Sequence, residues 1–156
     1  MNNIKFEYIN SFDELEIKRI YRFLLEISED FVPPLQQKVD LKEYTSKLLN
    51  NAVIQTAVDK EKIVGLIAFY CNKFDTKIAY IPIIGVDKNY RGKGIGNKLL
   101  KNAINHIKSK GFMEIEIKTW ENSSAQNLYI KNGFEIENFA NDRPNDIRSV
   151  KMKLKI

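Results

Sequence analysis

The spacing of apolar residues in the first third of the chain predicts one strand and two helices. Residues 4–8 alternate apolar and polar side chains, which is typical of a short strand. From about Ser11, apolar residues recur at helical spacing, at Leu15, Ile20, Tyr21, Leu24 and Ile27. The Pro33-Pro34 pair should end this helix, because proline has no amide donor and restricts the residue before it. Asp40 followed by Glu43 resembles a capping box and predicts the start of a second helix.

The middle of the chain has the pattern of a sheet. Residues 53–58 and 63–70 are apolar and flank a polar tetrapeptide, which predicts a hairpin. A further strand is predicted over residues 78–86. Pro82 cannot donate to a strand ladder and Gly85 has no side chain to pack, so this strand should be bulged or splayed near its end. Such a gap would leave backbone hydrogen-bonding groups available to a ligand.

The last third of the chain alternates helices with strands. A glycine-containing segment over 87–96 precedes a helix with an apolar face, formed by Leu99, Leu100, Ala103, Ile104 and Ile107. Residues 113–118 alternate apolar and charged side chains, so this strand should have one wet face. A short helix is predicted over 123–131, and two strands over 134–136 and 150–154. Together these elements predict one mixed α+β domain around a central sheet.

Composition and charge narrow the class of protein. Hydrophobic residues make up 44% and charged residues 29% of the 156 residues, as in a globular domain. No signal peptide or membrane span is recognisable, and one cysteine with one histidine argues against a structural zinc site. We therefore expect a cytoplasmic protein without a metal or membrane partner. The net charge of +5 favours anionic partners, but the lysines are dispersed, so we expect no nucleic-acid partner and keep a basic nucleic-acid-binding module only as an alternative.

The segment most informative about function lies between Val86 and the helix that follows. It reads Arg91-Gly92-Lys93-Gly94-Ile95-Gly96, a glycine-rich turn that leads into a helix N-terminus. Glycines let a backbone approach a ligand, and the first helical amides lack intrahelical acceptors. With Arg91 and Lys93, this turn predicts a seat for a phosphate or pyrophosphate. The spacing matches neither the dinucleotide fingerprint nor the Walker A loop, and a tight turn without a ligand is the alternative.

Two motifs in this region resemble the GNAT acetyltransferase superfamily. The pyrophosphate-loop pattern of that superfamily, Arg/Gln-x-x-Gly-x-Gly/Ala, is matched in order by Arg91, Gly94 and Gly96. Its downstream pattern N-x-x-A-x-x-L-Y-x-x-x-G-F is matched by Asn122, Ala125, Leu128, Tyr129, Gly133 and Phe134. The resemblance implies a single GNAT domain over residues 1–156. Its central sheet should be splayed and mostly antiparallel, with six to seven strands and about four flanking helices.

The resemblance also implies roles for particular residues. Acetyl-CoA would be the cosubstrate, with its pyrophosphate held by Arg91, Gly92, Lys93, Gly94, Ile95 and Gly96. The backbone of Ile84 and Val86 would pair with the pantetheine arm. Asn122 would also bond that arm, although an asparagine in this position is equally a helix cap. Tyr129 would protonate the leaving thiolate, because a phenol with a pKa of about 10 keeps its proton at neutral pH. A packed core tyrosine is the alternative for Tyr129.

The acceptor side is less defined by the sequence. No acidic residue lies on the strand over 78–86, so no general base is visible. Glu26, Glu29 and Asp30 precede the loop over residues 31–34, a region that borders the acceptor pocket of relatives, and could bind or deprotonate an ammonium group. Of these, Glu26 and Glu29 are candidate acceptor contacts together with Phe31 and Tyr80. Residues 31–35 are similar to a stretch in GNAT-like proteins of sugar and surface-polysaccharide pathways, which suggests an amino sugar.

The sequence therefore predicts an acetyl-CoA-dependent N-acetyltransferase. It would transfer an acetyl group to a primary amine of a small molecule or peptide, by direct attack in a ternary complex. Polyamines, amino acids, antibiotics and O-acetylation remain open alternatives for the acceptor. A non-catalytic acyl-CoA-binding regulatory protein is the alternative function within the same fold. Dimers are common in the superfamily, so a homodimer is a further expectation.

Overall fold

One seven-stranded sheet organises residues 3–156, the part of the chain that the computed structural model describes. The strands are β1 (Lys5–Tyr8), β2 (Val53–Asp59), β3 (Lys62–Tyr70), β4 (Ile78–Val86), β5 (Glu114–Trp120), β6 (Glu135–Ala140) and β7 (Ser149–Lys155). Their order in space is β1-β2-β3-β4-β5-β7-β6. Only β4 and β5 run parallel, whereas the other neighbours pair antiparallel. The predicted sheet of six to seven mostly antiparallel strands is therefore confirmed.

Five α-helices flank this sheet, one more than the sequence indicated. They are α1 (Glu14–Ile27), α2 (Leu35–Lys38), α3 (Leu41–Asn51), α4 (Ile95–Ser109) and α5 (Ser124–Lys131). The additional one is α2, a single turn that directly follows the proline pair. Asp40 caps α3 by accepting hydrogen bonds from the amides of Lys42 and Glu43 at 3.0 and 3.2 Å, as predicted. None of the helices in residues 3–156 is long and apolar enough to cross a bilayer.

Apolar cores lie on both faces of the sheet. On one face α1 and α3 pack against the sheet, with Ile20, Leu24, Leu48, Leu66 and Ile83 among the buried residues. On the other face α4 and α5 do the same, with Leu99, Ile107, Ile67, Ile117 and Tyr129 buried. Because β3 contributes to both cores, it is apolar along nearly its whole length. The molecule is a three-layer α/β/α arrangement.

The predicted splay lies between β4 and β5. These strands pair only over Ile78–Ile81 and Glu114–Ile117. Beyond that point β4 stays paired with β3 as far as Val86, and β5 stays paired with β7, so the sheet opens into a V. The opening begins at Pro82, which has no amide to donate, and the β3–β4 register shifts beside it. The edge of residues 82–86 that faces β5 therefore has no strand partner.

The edge of the sheet at β6 departs from the sequence prediction. The strand was expected over residues 134–136, whereas β6 extends from Glu135 to Ala140. All six residues of β6 are exposed, and the strand is held by its backbone pairing with β7. Because neither face of this edge strand is buried, its side chains carry no alternating pattern from which its length could be predicted.

The predicted wet face of β5 is present. Glu114 and Glu116 alternate with buried isoleucines and form ion pairs with lysines of β7. The Glu116–Lys151 pair has an N–O distance of 3.2 Å, and the Glu114–Lys153 pair has one of 3.5 Å. Each of these four side chains keeps part of its surface exposed, so the charges remain in contact with solvent.

Candidate active site

The V between β4 and β5 opens into a cavity of about 790 Å³. Its walls include residues 81–86 of β4, residues 117–120 of β5, the loop before α4 and one side of α5. The cavity extends to the segment that follows α1 and to Arg143 in the β6–β7 loop. Its volume is that of a small-molecule or cofactor site.

The backbone of the glycine loop has positive φ angles at two positions. Gly92 and Gly94 have φ angles of +77° and +83°, which only glycine adopts without strain. Gly94 precedes the first residue of α4 and no side chain caps this helix, so the first amides of α4 are left without a side-chain acceptor. A Cβ at Gly96 would lie 3.5 Å from Leu128 and 3.7 Å from Val86, so this glycine forms part of the narrow wall between β4 and α5.

The two cations of this loop have different positions. Arg91 lines the cavity and is fixed there, since its Nε donates to the carbonyl of Val86 at 3.1 Å. Its Nη2 also lies 2.5 Å from a carboxylate oxygen of Asp30. Arg91 thereby ties the loop to the end of β4 and to the turn after α1. Lys93 instead lies over the Tyr90 ring, 5.3 Å from its centroid, and is outside the cavity lining.

Tyr129 lies on the cavity side of α5. Its side chain is only 3% exposed, and its ring packs against Phe134 with 5.7 Å between centroids. Burial raises the pKa of Tyr129, and the nearby phenol of Tyr80 raises it further. The hydroxyl therefore keeps its proton at neutral pH. Ser123 fixes α5 in place by capping it and by sharing a 2.9 Å hydrogen bond with Thr119 at the end of β5.

Asn122 occupies a turn beside the cavity and not its wall. Its backbone has a φ of +63°, and its amide donates to the side chain of Gln126 at 2.8 Å. The alternative in which Asn122 caps the helix is wrong, because Ser123 is the cap and accepts from the Gln126 amide at 3.0 Å. Asn122 lies one residue before the cap position, since the helical backbone begins at Ser124.

Aromatic side chains form the end of the cavity on the α1–α3 face of the sheet. This end is lined by Phe31, Tyr44, Tyr70, Tyr80 and Trp120. Phe31 packs edge-to-face on Trp120 at 5.8 Å, and Phe31, Tyr44 and Tyr70 pack against the core of that face. Tyr129 and the glycine loop belong to the opposite face. The cavity thus passes through the sheet at the β4–β5 opening.

Of the four predicted acceptor contacts, the structure brings Phe31 and Tyr80 to the cavity and leaves Glu26 and Glu29 outside its lining. A carboxylate oxygen of Glu26 lies 3.8 Å from the ammonium of Lys62. Glu29 is exposed in the short turn that follows α1. The apolar face of α1 packs on the sheet, so Glu26 of this helix is directed away from the cavity.

The residues that close this end of the cavity were not predicted from the sequence. Arg143 donates from Nε to Ser149 at 2.8 Å, from Nη2 to the carbonyl of Thr119 at 3.3 Å, and from Nη1 to the carbonyl of Val32. These bonds join the β6–β7 loop to β5 and to the segment after α1. Lys38, Lys118 and Trp120 line the same end. The cations come from different elements, so no local motif marks them.

A family profile and several relatives match parts of this chain. The profile of the acetyltransferase (GNAT) family matches residues 17–134. An uncharacterized N-acetyltransferase of Methanocaldococcus jannaschii is 37% identical over 81 residues, which cover 47% of this chain and 35% of that protein. N-alpha-acetyltransferase 30 of Schizosaccharomyces pombe is 31% identical over 83 residues, which cover 50% of this chain and 54% of that protein. The matches thus span about a third to a half of these relatives.

A solved structure shares the fold over almost the whole chain. The NatC complex bound to Gag peptide and CoA contains a chain that superposes with a TM-score of 0.80, at 24% identity over 99% of both chains. At this identity the similarity establishes the fold. The family profile matches well over half of the chain and includes both the glycine loop and Tyr129. This protein belongs to the GNAT acetyltransferase family.

Proposed function

We propose that this protein is an acetyl-CoA-dependent N-acetyltransferase that acetylates a primary amine by direct attack in a ternary complex. The observation that carries the proposal is the cavity that joins the glycine loop on one face of the sheet to an aromatic pocket on the other. Two reactants can enter such a cavity from opposite faces and meet at the β4–β5 opening. The name of the S. pombe relative and the peptide in the NatC structure favour a peptide N-terminus as the acceptor over an amino sugar.

The residues around the opening fit acetyl-CoA, which when bound supplies a thioester as the acyl donor. The loop from Gly92 to Gly96 and the first amides of α4 would hold the pyrophosphate. The unpaired edge of residues 82–86, which includes Ile84 and Val86, would pair with the extended pantetheine arm as an added strand does. Arg91 would shape this seat, because its guanidinium is bound to Asp30 and Val86.

Tyr129 would hold the proton that the departing sulfur takes up. Its raised pKa keeps the hydroxyl protonated, and its burial excludes bulk water from this donor. For the acceptor amine, the only carboxylate in the cavity lining of residues 3–156 is Asp30, which is paired with Arg91. We therefore propose that the amine loses its proton to water and not to a dedicated carboxylate.

Calorimetric titration with acetyl-CoA, on the wild type and on two glycine variants, tests the cofactor seat. Gly94 and Gly111 lie at opposite ends of α4, with φ angles of +83° and +85°, and a Cβ added at either position would meet no atom within 4 Å. G94E and G111E therefore introduce the same strain and the same charge, and only the first does so at the cavity. We expect acetyl-CoA to bind the wild type and G111E and to bind G94E at least about a hundredfold more weakly, because the added side chain would occupy the pyrophosphate seat and its negative charge would repel the phosphates.

Three other results would each contradict a different part of the proposal. Unchanged binding to G94E would remove the glycine loop as the cofactor seat. Failure of the folded wild type to bind acetyl-CoA would contradict the proposed function as a whole. If acetyl-CoA binds but no amine in a panel of peptides and small molecules triggers thiol release, a non-catalytic acyl-CoA-binding role would replace the enzyme.

A further inference from the structure

The end of the cavity on the α1–α3 face carries an excess of positive charge. Lys38, Lys118 and Arg143 all line it. The pKa of Lys38 is lowered first by burial and then by the charges of Arg143 and Lys118, so the three cations lie within electrostatic range of one another. Asp142 is the one carboxylate that opposes this effect on Lys38. Lys38, Lys118 and Arg143 therefore form a cluster in which two positive charges act on Lys38 against one negative charge.

These three cations are also without direct ion pairs. Elsewhere in the chain Arg91, Arg148, Lys151 and Lys153 each have a carboxylate oxygen within 4.0 Å. Within residues 3–156, none lies that close to Lys38, Lys118 or Arg143. Asp142 instead accepts a hydrogen bond from Ser149. The guanidinium of Arg143 is half-buried and its hydrogen-bond acceptors are neutral, and Asp142 attracts it only from beyond 4.0 Å.

Neutral hydrogen-bond donors share this end of the cavity with the cations. Tyr44, Tyr70 and Tyr80 line the same end of the cavity, and burial raises the pKa of each phenol. All three hydroxyls therefore remain protonated at neutral pH. They can donate hydrogen bonds to an anion without opposing its charge.

We propose that the acceptor is an amine that also carries an anionic group, a carboxylate or a phosphate, and that Lys38 and Lys118 bind this group beside the charge of Arg143. The inference rests on the proposed function, because the amine must reach the β4–β5 opening while the anion remains among the cations. An amine without an anionic group brings only positive charge, which the cluster repels. Polyamines should accordingly bind more weakly than anionic amines.

The chain contains a probe for this site, because its single tryptophan is Trp120. Trp120 lines the cavity, and the guanidinium carbon of Arg143 lies 5.8 Å from its ring centroid. Binding beside Arg143 should therefore change the emission of Trp120. The titration uses two pairs of amines that differ only in charge. One pair is a short peptide with glutamates after its free N-terminal residue and its glutamine analogue, and the other is glucosamine 6-phosphate and glucosamine.

We expect a saturable emission change, with at least one anionic amine binding about tenfold or more tightly than its neutral analogue. The pair that shows this preference identifies carboxylate or phosphate as the recognised group. K38Q and K118Q should each weaken binding of that anionic amine by about fivefold, as is usual for an exposed charge. Lys101, which is exposed on α4 outside the cavity lining, provides the matched control, and K101Q should leave the affinity unchanged.

Three results would overturn the inference. They are equal affinity for the charged and neutral amines, no saturable change with either anionic amine, and an equal loss of affinity in K101Q. Calorimetry with acetyl-CoA on the same preparations reports separately on the proposed function. Cofactor binding without charge discrimination would refute the anionic acceptor alone, whereas absent cofactor binding would refute the acetyltransferase.

Discussion

A single methyl group added at Gly85 should destabilise the fold through one identifiable contact. A Cβ at this position would lie 2.4 Å from Cδ1 of Ile27, the last residue of α1. Carbon atoms pack favourably at about 3.5–4.0 Å, so the two atoms must move apart by about 1 Å or more. Ile27 is only 2% exposed and lies beside Phe23 in the same core, which restricts that movement. We expect G85A to lower the free energy of unfolding by about 1–3 kcal/mol, the usual cost of overpacking.

Removing the opposing atom should rescue this variant. Valine at position 27 lacks Cδ1, and the next atom of Ile27, Cγ1, lies 3.8 Å from the added Cβ, which is an ordinary contact. I27V alone should cost about 0.5–1.5 kcal/mol. In the double variant the new methyl group fills the space that I27V opens. The double variant should therefore lose less free energy of unfolding than the sum of the two single losses, by about 1 kcal/mol or more.

Urea unfolding followed by circular dichroism measures all four proteins of this cycle. The reasoning would be refuted if G85A cost less than about 0.5 kcal/mol, or if the two losses simply added. Either result would mean that α1 can shift away from β4 at little cost, and that the close approach of helix and strand is not what requires glycine.

Three further predictions concern single residues. Y129F should lower turnover by about a hundredfold or more while acetyl-CoA affinity stays unchanged, and normal turnover in steady-state kinetics would remove its role as the acid. G96A should be tolerated by the fold, since its methyl group meets only ordinary contacts, but should weaken acetyl-CoA binding in calorimetry; unchanged affinity would show that no ligand approaches this backbone. Burial, and then the charge of Lys110, lowers the pKa of His106 below 6.5, so its contribution to stability is complete above pH 6.5 and is lost as the pH falls through the lowered value. Imidazole NMR of this single histidine should show that lowered pKa, and a value at or above 6.5 would contradict it.

Short-range patterns in the sequence predicted most of the helices and strands of this fold. Helical and alternating spacing located α1, α3, α4 and most strands, because one buried face imposes its period on the side chains. Pro82 located the splay between β4 and β5, because a missing amide interrupts a ladder wherever it occurs. Two elements were not predicted correctly from such patterns. Strand β6 has no buried face, and helix α2 has only four residues.

The proposed cofactor side of the candidate site lies mostly in one stretch of sequence, because a strand, a glycine turn and a helix N-terminus are consecutive in the chain. The proposed acceptor side depends on the tertiary structure. The sheet order places the β6–β7 loop next to the segment after α1, which brings Arg143 beside Lys38 and Lys118. Each of these cations is an ordinary surface residue in its local sequence. The role of these cations in binding depends on which charges face them across the cavity, and only the folded chain determines those neighbours.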